Sequence, residues 1–85
     1  MQEITVYTTT SCVYCQAAKR LLAQRGHNYK EVDLGRDPTL RQQLSDDNHG
    51  FRTVPMIFIG EDFIGGYDEL AALDRSGELQ VRVRA

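Results

Sequence analysis

The residues best equipped for chemistry in this chain are its only two cysteines, Cys12 and Cys15, three positions apart in "TTTSCVYCQAAK". They stand where a polar run gives way to a helix-like pattern. A cysteine is a nucleophile only as its thiolate, and the first turn of a helix favours that anion through unpaired backbone N–H groups and the positive end of the dipole. Cys12 is expected at such a helix start. Cys15, one turn further on, can then attack a mixed disulfide formed at Cys12 and expel the thiol bound there. Redox chemistry is the leading reading of the pair. A zinc half-site comes next, but a closed site needs about four ligands, and only His27 and His49, in separate predicted turns, remain to complete one. An inert buried pair and a structural disulfide are weaker readings of the same spacing.

The elements that position the pair follow from pattern. Residues 3–8, "EITVYT", alternate and are rich in β-branched types, so they read as a strand. Thr9, Thr10 and Ser11 are natural helix caps, and Tyr14, Ala17, Ala18, Leu21 and Leu22 recur at intervals of three and four, predicting a helix that Gly26 ends. "NYKEVDL" offers a second strand with Tyr29 and Val32 facing the core. Asp37 as cap, Pro38 at the first helical position, and Leu40 with Leu44 predict a short second helix that is released near "DDNHG". "TVPMIFIG" and "EDFIGG" read as a hairpin turning at Gly60, Glu61 and Asp62, with Pro55 at its entrance. "YDELAALDRSG" has acids in its first turn, Leu70 and Leu73 on one face and Gly77 as a stop, predicting a third helix. The order β-α-β-α-β-β-α implies an α/β fold with a four-stranded mixed sheet, its first two strands parallel across a helical crossover. The tail "LQVRVRA" alternates Val81 and Val83 with arginines but has no evident strand partner, and carries no assignment.

Composition bounds the rest. Residues 1–85 have room for one domain and one core, and 41% hydrophobic with 26% charged residues is a globular balance. A net charge of −2 supplies no basic field for a phosphate backbone, so nucleic acid is not an expected partner. "MQEITVYT" has no charged-then-apolar leader pattern, and no stretch approaches the roughly 18 apolar residues of a membrane span. A cytoplasmic location is expected. Two cysteines are too few for a secreted disulfide framework, and in a reducing cytosol a close pair points to redox or metal chemistry.

With "CVYC" opening the first helix, "TVP" before the hairpin and "GGYDEL" after it, the chain resembles a glutaredoxin of the two-cysteine type from about Ile4 to Leu79. The resemblance implies a thioredoxin-like fold, with helices on both faces of the sheet, and a monomeric glutathione-disulfide oxidoreductase. Its partners would be glutathione and glutathionylated or disulfide-containing proteins, ribonucleotide reductase being one such protein. On that reading Cys12 takes glutathione from a mixed disulfide, a second glutathione collects it, and Cys15 closes the Cys12–Cys15 disulfide when a protein disulfide is the substrate. The implied glutathione contacts are Tyr14, Arg41, Thr53, Val54, Pro55, Gly66, Tyr67 and Asp68. Pro55, expected to be cis, leaves the Val54 backbone free to pair with the extended tripeptide. Gly66 allows close approach, the helix start at Tyr67 and Asp68 offers N–H donors to the γ-glutamyl carboxylate, and Asp68 receives its ammonium.

Two positions depart from the family pattern. Thr9 stands where a lysine usually meets the glycine carboxylate, and Arg41 or Arg52 are candidate replacements. Val13 replaces a proline, which loosens the loop between the thiols. Some relatives without that proline hold a [2Fe–2S] cluster between two chains through one cysteine each and two glutathiones, so a cluster-carrying dimer is a second reading, with Cys12 as the ligand. A thioredoxin-like electron donor to a reductase is a third, disfavoured because it needs no γ-glutamyl clamp.

Overall fold

In the computed structural model, which describes all residues from Met1 to Ala85, strand β1 (Ile4–Thr8) buries every second side chain: Ile4, Val6 and Thr8 point inward while Thr5 and Tyr7 are half-buried. Such alternation follows from the period of two of a pleated strand. Helix α1 (Val13–Gln24) carries the chain over the sheet to β2 (Lys30–Asp33), which lies parallel to β1 with Thr5 opposite Lys30. Helix α2 (Pro38–Asp47) is capped as the sequence predicts, Asp37 accepting the Leu40 N–H at 3.0 Å with Pro38 in the first turn. Strands β3 (Met56–Ile59) and β4 (Asp62–Gly65) form the expected hairpin. Its turn is shorter than predicted, because Asp62 already belongs to β4 and only Gly60, at φ +60°, and Glu61 remain outside the strands. The sheet order is β2-β1-β3-β4, with β3 antiparallel to both neighbours.

The core lies on one face of this sheet. Ile4, Val6, Ile57 and Ile59 meet Ala18 and Leu22 of α1 and Leu70 of α3 (Tyr67–Ser76). The opposite face carries Tyr7 and Phe58, packed edge to face at 5.6 Å, with α2 beside Met56.

Beyond Gly77, at φ +81°, the tail forms an eighth element, α4 (Glu78–Arg84). The alternating valines are therefore misleading. Leu79 and Val83, four apart and both essentially buried, close the core at helical spacing, whereas Val81 is 61% exposed. The Gln2 N–H donates to the Val83 carbonyl at 2.7 Å, tying the two ends of the chain together. No helix is long and apolar enough to cross a membrane.

Candidate active site

The helix cap is not Thr9, Thr10 or Ser11 but Cys12 itself. Its backbone is extended (φ −100°, ψ 110°), and its sulfur accepts the Cys15 N–H at 3.1 Å, the bond a serine or aspartate oxygen makes at an ordinary helix start. The chain reaches this position through Ser11, whose φ of 62° is left-handed and unusual for a residue with a side chain. The sulfurs of Cys12 and Cys15 are joined in a disulfide, with Cα atoms 5.2 Å apart, so the molecule is in its oxidised form.

The two sulfurs are not equivalent. Cys15 is 1% exposed and continues the apolar stripe of Ala18 and Leu22, whereas Cys12 lies ahead of the helix and is half-buried. Cys12 Sγ therefore sits at the N-terminal end of α1, where the helix dipole is positive and a backbone N–H already donates to it. The Val54 carbonyl oxygen is 3.7 Å from the same sulfur, and Thr9 brings no positive charge.

The strand end that leads into this loop is held by a small polar network. Thr8 Oγ1 donates to Glu31 Oε2 at 2.8 Å, and Lys19 Nζ of α1 reaches the same oxygen at 3.0 Å. The Lys19 hydrogen bond first, and the Thr8 hydroxyl second, hold the Glu31 carboxyl below its ordinary range.

Facing Cys12 is a cleft of about 360 Å³ lined by Tyr14, Phe51, Thr53, Val54, Pro55, Gly66, Tyr67, Asp68 and Glu69. Seven of the eight residues predicted to bind a tripeptide are therefore brought together. The Val54–Pro55 peptide is cis, as expected. Tyr14, which the helical spacing groups with the apolar stripe, is instead 61% exposed and faces Tyr67, ring centroids 6.1 Å apart. Gly66 is buried, and a Cβ there would sit 3.4 Å from Phe51 Cζ and 3.5 Å from the Pro55 carbonyl oxygen, so its missing side chain keeps the floor open. Gly65, at φ +121°, adopts a conformation that only glycine takes readily.

Arg41 is the residue the cleft does not include. It lines an adjacent cavity of about 440 Å³ with Pro38, Gln42, Ser45, Arg52 and Met56, and its guanidinium donates to the Arg52 carbonyl at 3.1 Å. His27 and His49 do not gather with the cysteines: no three His, Cys, Asp or Glu side chains form a metal-binding group.

Two wall residues escape the sequence reading. Glu69 Oε1 accepts the Gly66 N–H at 2.7 Å, so the acid is a cap partner as well as a charge near the dipole. Its signal was present, an acid at the third helical position. Phe51 comes from the loop after α2 and has no sequence signature. With the Gly66 N–H taken, the Tyr67 and Asp68 N–H groups still lack helical acceptors and sit at the cleft.

A cysteine couple capping the first helix of a four-stranded mixed sheet, opposite a cis-proline strand entrance, defines a thioredoxin-like thiol–disulfide oxidoreductase. The sequence model of the family described as Glutaredoxin matches residues 4–64. Glutaredoxin of Pseudomonas aeruginosa is 41% identical over 85 residues, covering 100% of both chains. Glutaredoxin 3 of Escherichia coli is 38% identical over 79 residues, 93% of this chain and 94% of that protein. Among solved structures, the buckwheat glutaredoxin–glutathione complex superposes with a TM-score of 0.91 at 31% identity, over 98% of this chain and 77% of that one. The solution structure of glutaredoxin from Brucella melitensis gives 0.86 at 37% identity, over 100% of this chain and 94% of that one. The chain belongs to the glutaredoxin family.

Proposed function

We propose that the protein reduces mixed disulfides between glutathione and proteins, and protein disulfides, at the expense of glutathione. The carrying observation is that the less buried cysteine of the pair is the helix-capping one and borders, through Val54, a cleft with the Thr53–Pro55 bend along one side and a helix N-terminus at one end. The buckwheat relative was solved as a glutathione complex, which supports the same ligand here. The cysteinyl peptide of glutathione pairs along Val54, and its γ-glutamyl carboxylate takes the Tyr67 and Asp68 N–H groups. The Asp68 carboxylate takes its ammonium, and Tyr14 and Thr53 flank it. Arg52, next in sequence to the cleft residues Phe51 and Thr53, and Arg41 beyond it offer cations for the glycine carboxylate that Thr9 does not supply.

The Cys12 thiolate attacks the glutathione sulfur of a mixed disulfide. The protein thiolate leaves, and a second glutathione thiolate attacks the Cys12–glutathione bond, giving glutathione disulfide and free Cys12. With a protein disulfide, Cys12 forms a mixed disulfide with the protein and Cys15 displaces it, closing the disulfide seen here; two glutathiones then reopen that bond, the first attacking at Cys12. The setting is a reducing, cytoplasmic-type compartment.

A single chain does not fit a [2Fe–2S] cluster, because one accessible sulfur stands against about four ligands and Cys15 is 1% exposed. A cluster would need a second copy. The deciding assay is glutathione-driven reduction of a glutathionylated protein by wild type, Cys12→Ser and Cys15→Ser. Loss of turnover in Cys12→Ser, with retention in Cys15→Ser, is expected; the reverse pattern refutes the assignment.

A further inference from the structure

We infer that Phe51 is a specificity-determining residue of the tripeptide cleft, forming the apolar surface on which the unbranched methylenes of the γ-glutamyl group pack. The inference rests on the glutathione reading above. The ring belongs to the cleft wall, with its tip beside Gly66, between the Thr53–Pro55 edge and the start of α3. It is held from behind. Phe51 packs edge to face on Phe63 at 5.0 Å and 76°, Phe63 lies 5.1 Å from Phe58, and Phe58 meets Tyr7 at 5.6 Å, so the ring ends an aromatic row anchored in three strands.

Its backbone is held as well. The Phe51 N–H donates to the Asn48 carbonyl at 3.2 Å, and the Gly50 N–H, from a residue at φ +77°, donates to the Ser45 carbonyl at 2.7 Å. The loop after α2 therefore delivers one rigid aromatic to the site. A purely structural role would place the ring in the core, but Phe51 is half-buried and lies outside the buried cluster.

The chemistry singles out one part of the ligand. A γ-linked glutamate runs two CH₂ groups between its α-carbon and the next peptide, whereas an α-linked one has a peptide there and turns those methylenes into a charged branch. A flat aromatic floor beside a glycine that offers no competing side chain favours the unbranched run and gives a carboxylate branch nothing to bond. Burying two methylenes and losing that contact corresponds to about a tenfold change in binding.

The test compares wild type, Phe51→Leu and Phe51→Ala, using glutathione and its α-glutamyl isomer to reduce a small disulfide, with dithiothreitol as a reductant that needs no cleft. For Phe51→Ala, KM for glutathione rises about tenfold with kcat within twofold, and the preference for the γ-linked peptide shrinks by a similar factor. Dithiothreitol-driven turnover falls several-fold less than glutathione-driven turnover, and Phe51→Leu recovers most of the affinity. An unchanged KM and preference in Phe51→Ala overturns the inference, and so does equal loss with both reductants, which would mark Phe51 as merely structural. If wild type itself shows no saturation by glutathione, the glutathione reading fails first, and the result is distinguishable because it needs no variant.

Discussion

Replacing Glu69 with alanine probes how the α3 terminus is built. The carboxylate accepts the N–H of buried Gly66 at 2.7 Å and stands in the first turn of the helix. A hydrogen bond to a charged acceptor contributes about 1.5–3 kcal/mol when well sheltered, and a helix cap typically about 0.5–2 kcal/mol. Because Glu69 is itself exposed, the lower half of these ranges applies, and the loss should be about 1–2 kcal/mol with the dipole contribution included. For a domain of this size that lowers Tm by about 5–15 °C. Glu69→Gln keeps an acceptor oxygen and should lose about half as much. Thermal unfolding followed by circular dichroism, with the pair reduced, measures both. A Tm for Glu69→Ala within about a degree of wild type would refute the reasoning, since it would mean that the Gly66 N–H finds water at no cost.

Four further outcomes are expected. Leu79→Ala, which empties a fully buried position under α4, should cost about 2–5 kcal/mol in denaturant unfolding; a loss below about 1 kcal/mol would mean that α4 does not complete the core. Ser11→Gly relieves a left-handed φ worth about 1–2 kcal/mol against an unfolded-state entropy loss of about 0.4–1 kcal/mol, so a small rise in Tm is expected and a fall would contradict the local geometry. Glu31 and Asp74 have carboxyls lowered by hydrogen bonds from Lys19 and Arg25, so the folded state binds their protons less readily than the unfolded state. Their stabilisation is present above the ordinary carboxylate pKa of about 4 and fades as pH falls through the lowered folded values; Glu31→Gln with Asp74→Asn should flatten that acid limb of the Tm profile, and an unchanged limb would exclude these pairs as its source. In the reduced protein, iodoacetamide should modify Cys12 rapidly and Cys15 only on unfolding, as read by mass spectrometry; equal labelling would contradict the burial difference.

Much of the fold was legible because its elements are locally consistent. Ala18 and Leu22 in the apolar pattern of α1, the Asp37–Pro38 start of α2 and the Gly60 turn are each signalled by spacing or by a capping or turn residue. Helix α4 was not, since two overlapping periods compete there: Val81 and Val83 read as a strand, Leu79 and Val83 as a helix, and only the buried face left open by β1 and α3 decides between them. The cleft was legible through residues with backbone duties, Pro55 and Gly66 among them. Phe51 was not, because its place depends on a loop closing in three dimensions, and that Arg41 lines a separate cavity was not, because helical position alone does not say which cavity a long side chain enters.

The division of labour between the thiols follows from where the helix begins. Cys15 falls on the same stripe as Ala18 and Leu22, so packing that buries α1 necessarily buries its sulfur. Cys12, three residues earlier, is the cap: its backbone is extended, the stripe does not constrain it, and its side chain must turn back toward the free N–H groups to satisfy one of them. The bond that fixes this turn also sets the sulfur at the positive end of the helix, so exposure and the helix N-terminus meet on the same atom. An external thiol can approach only that atom, and every route into or out of the disulfide must pass through Cys12. Were the helix to start one turn earlier, Cys12 would be a helical residue four positions before Gln16, without cap or N-terminal N–H donors, and the pair would lose its nucleophile without losing a single cysteine.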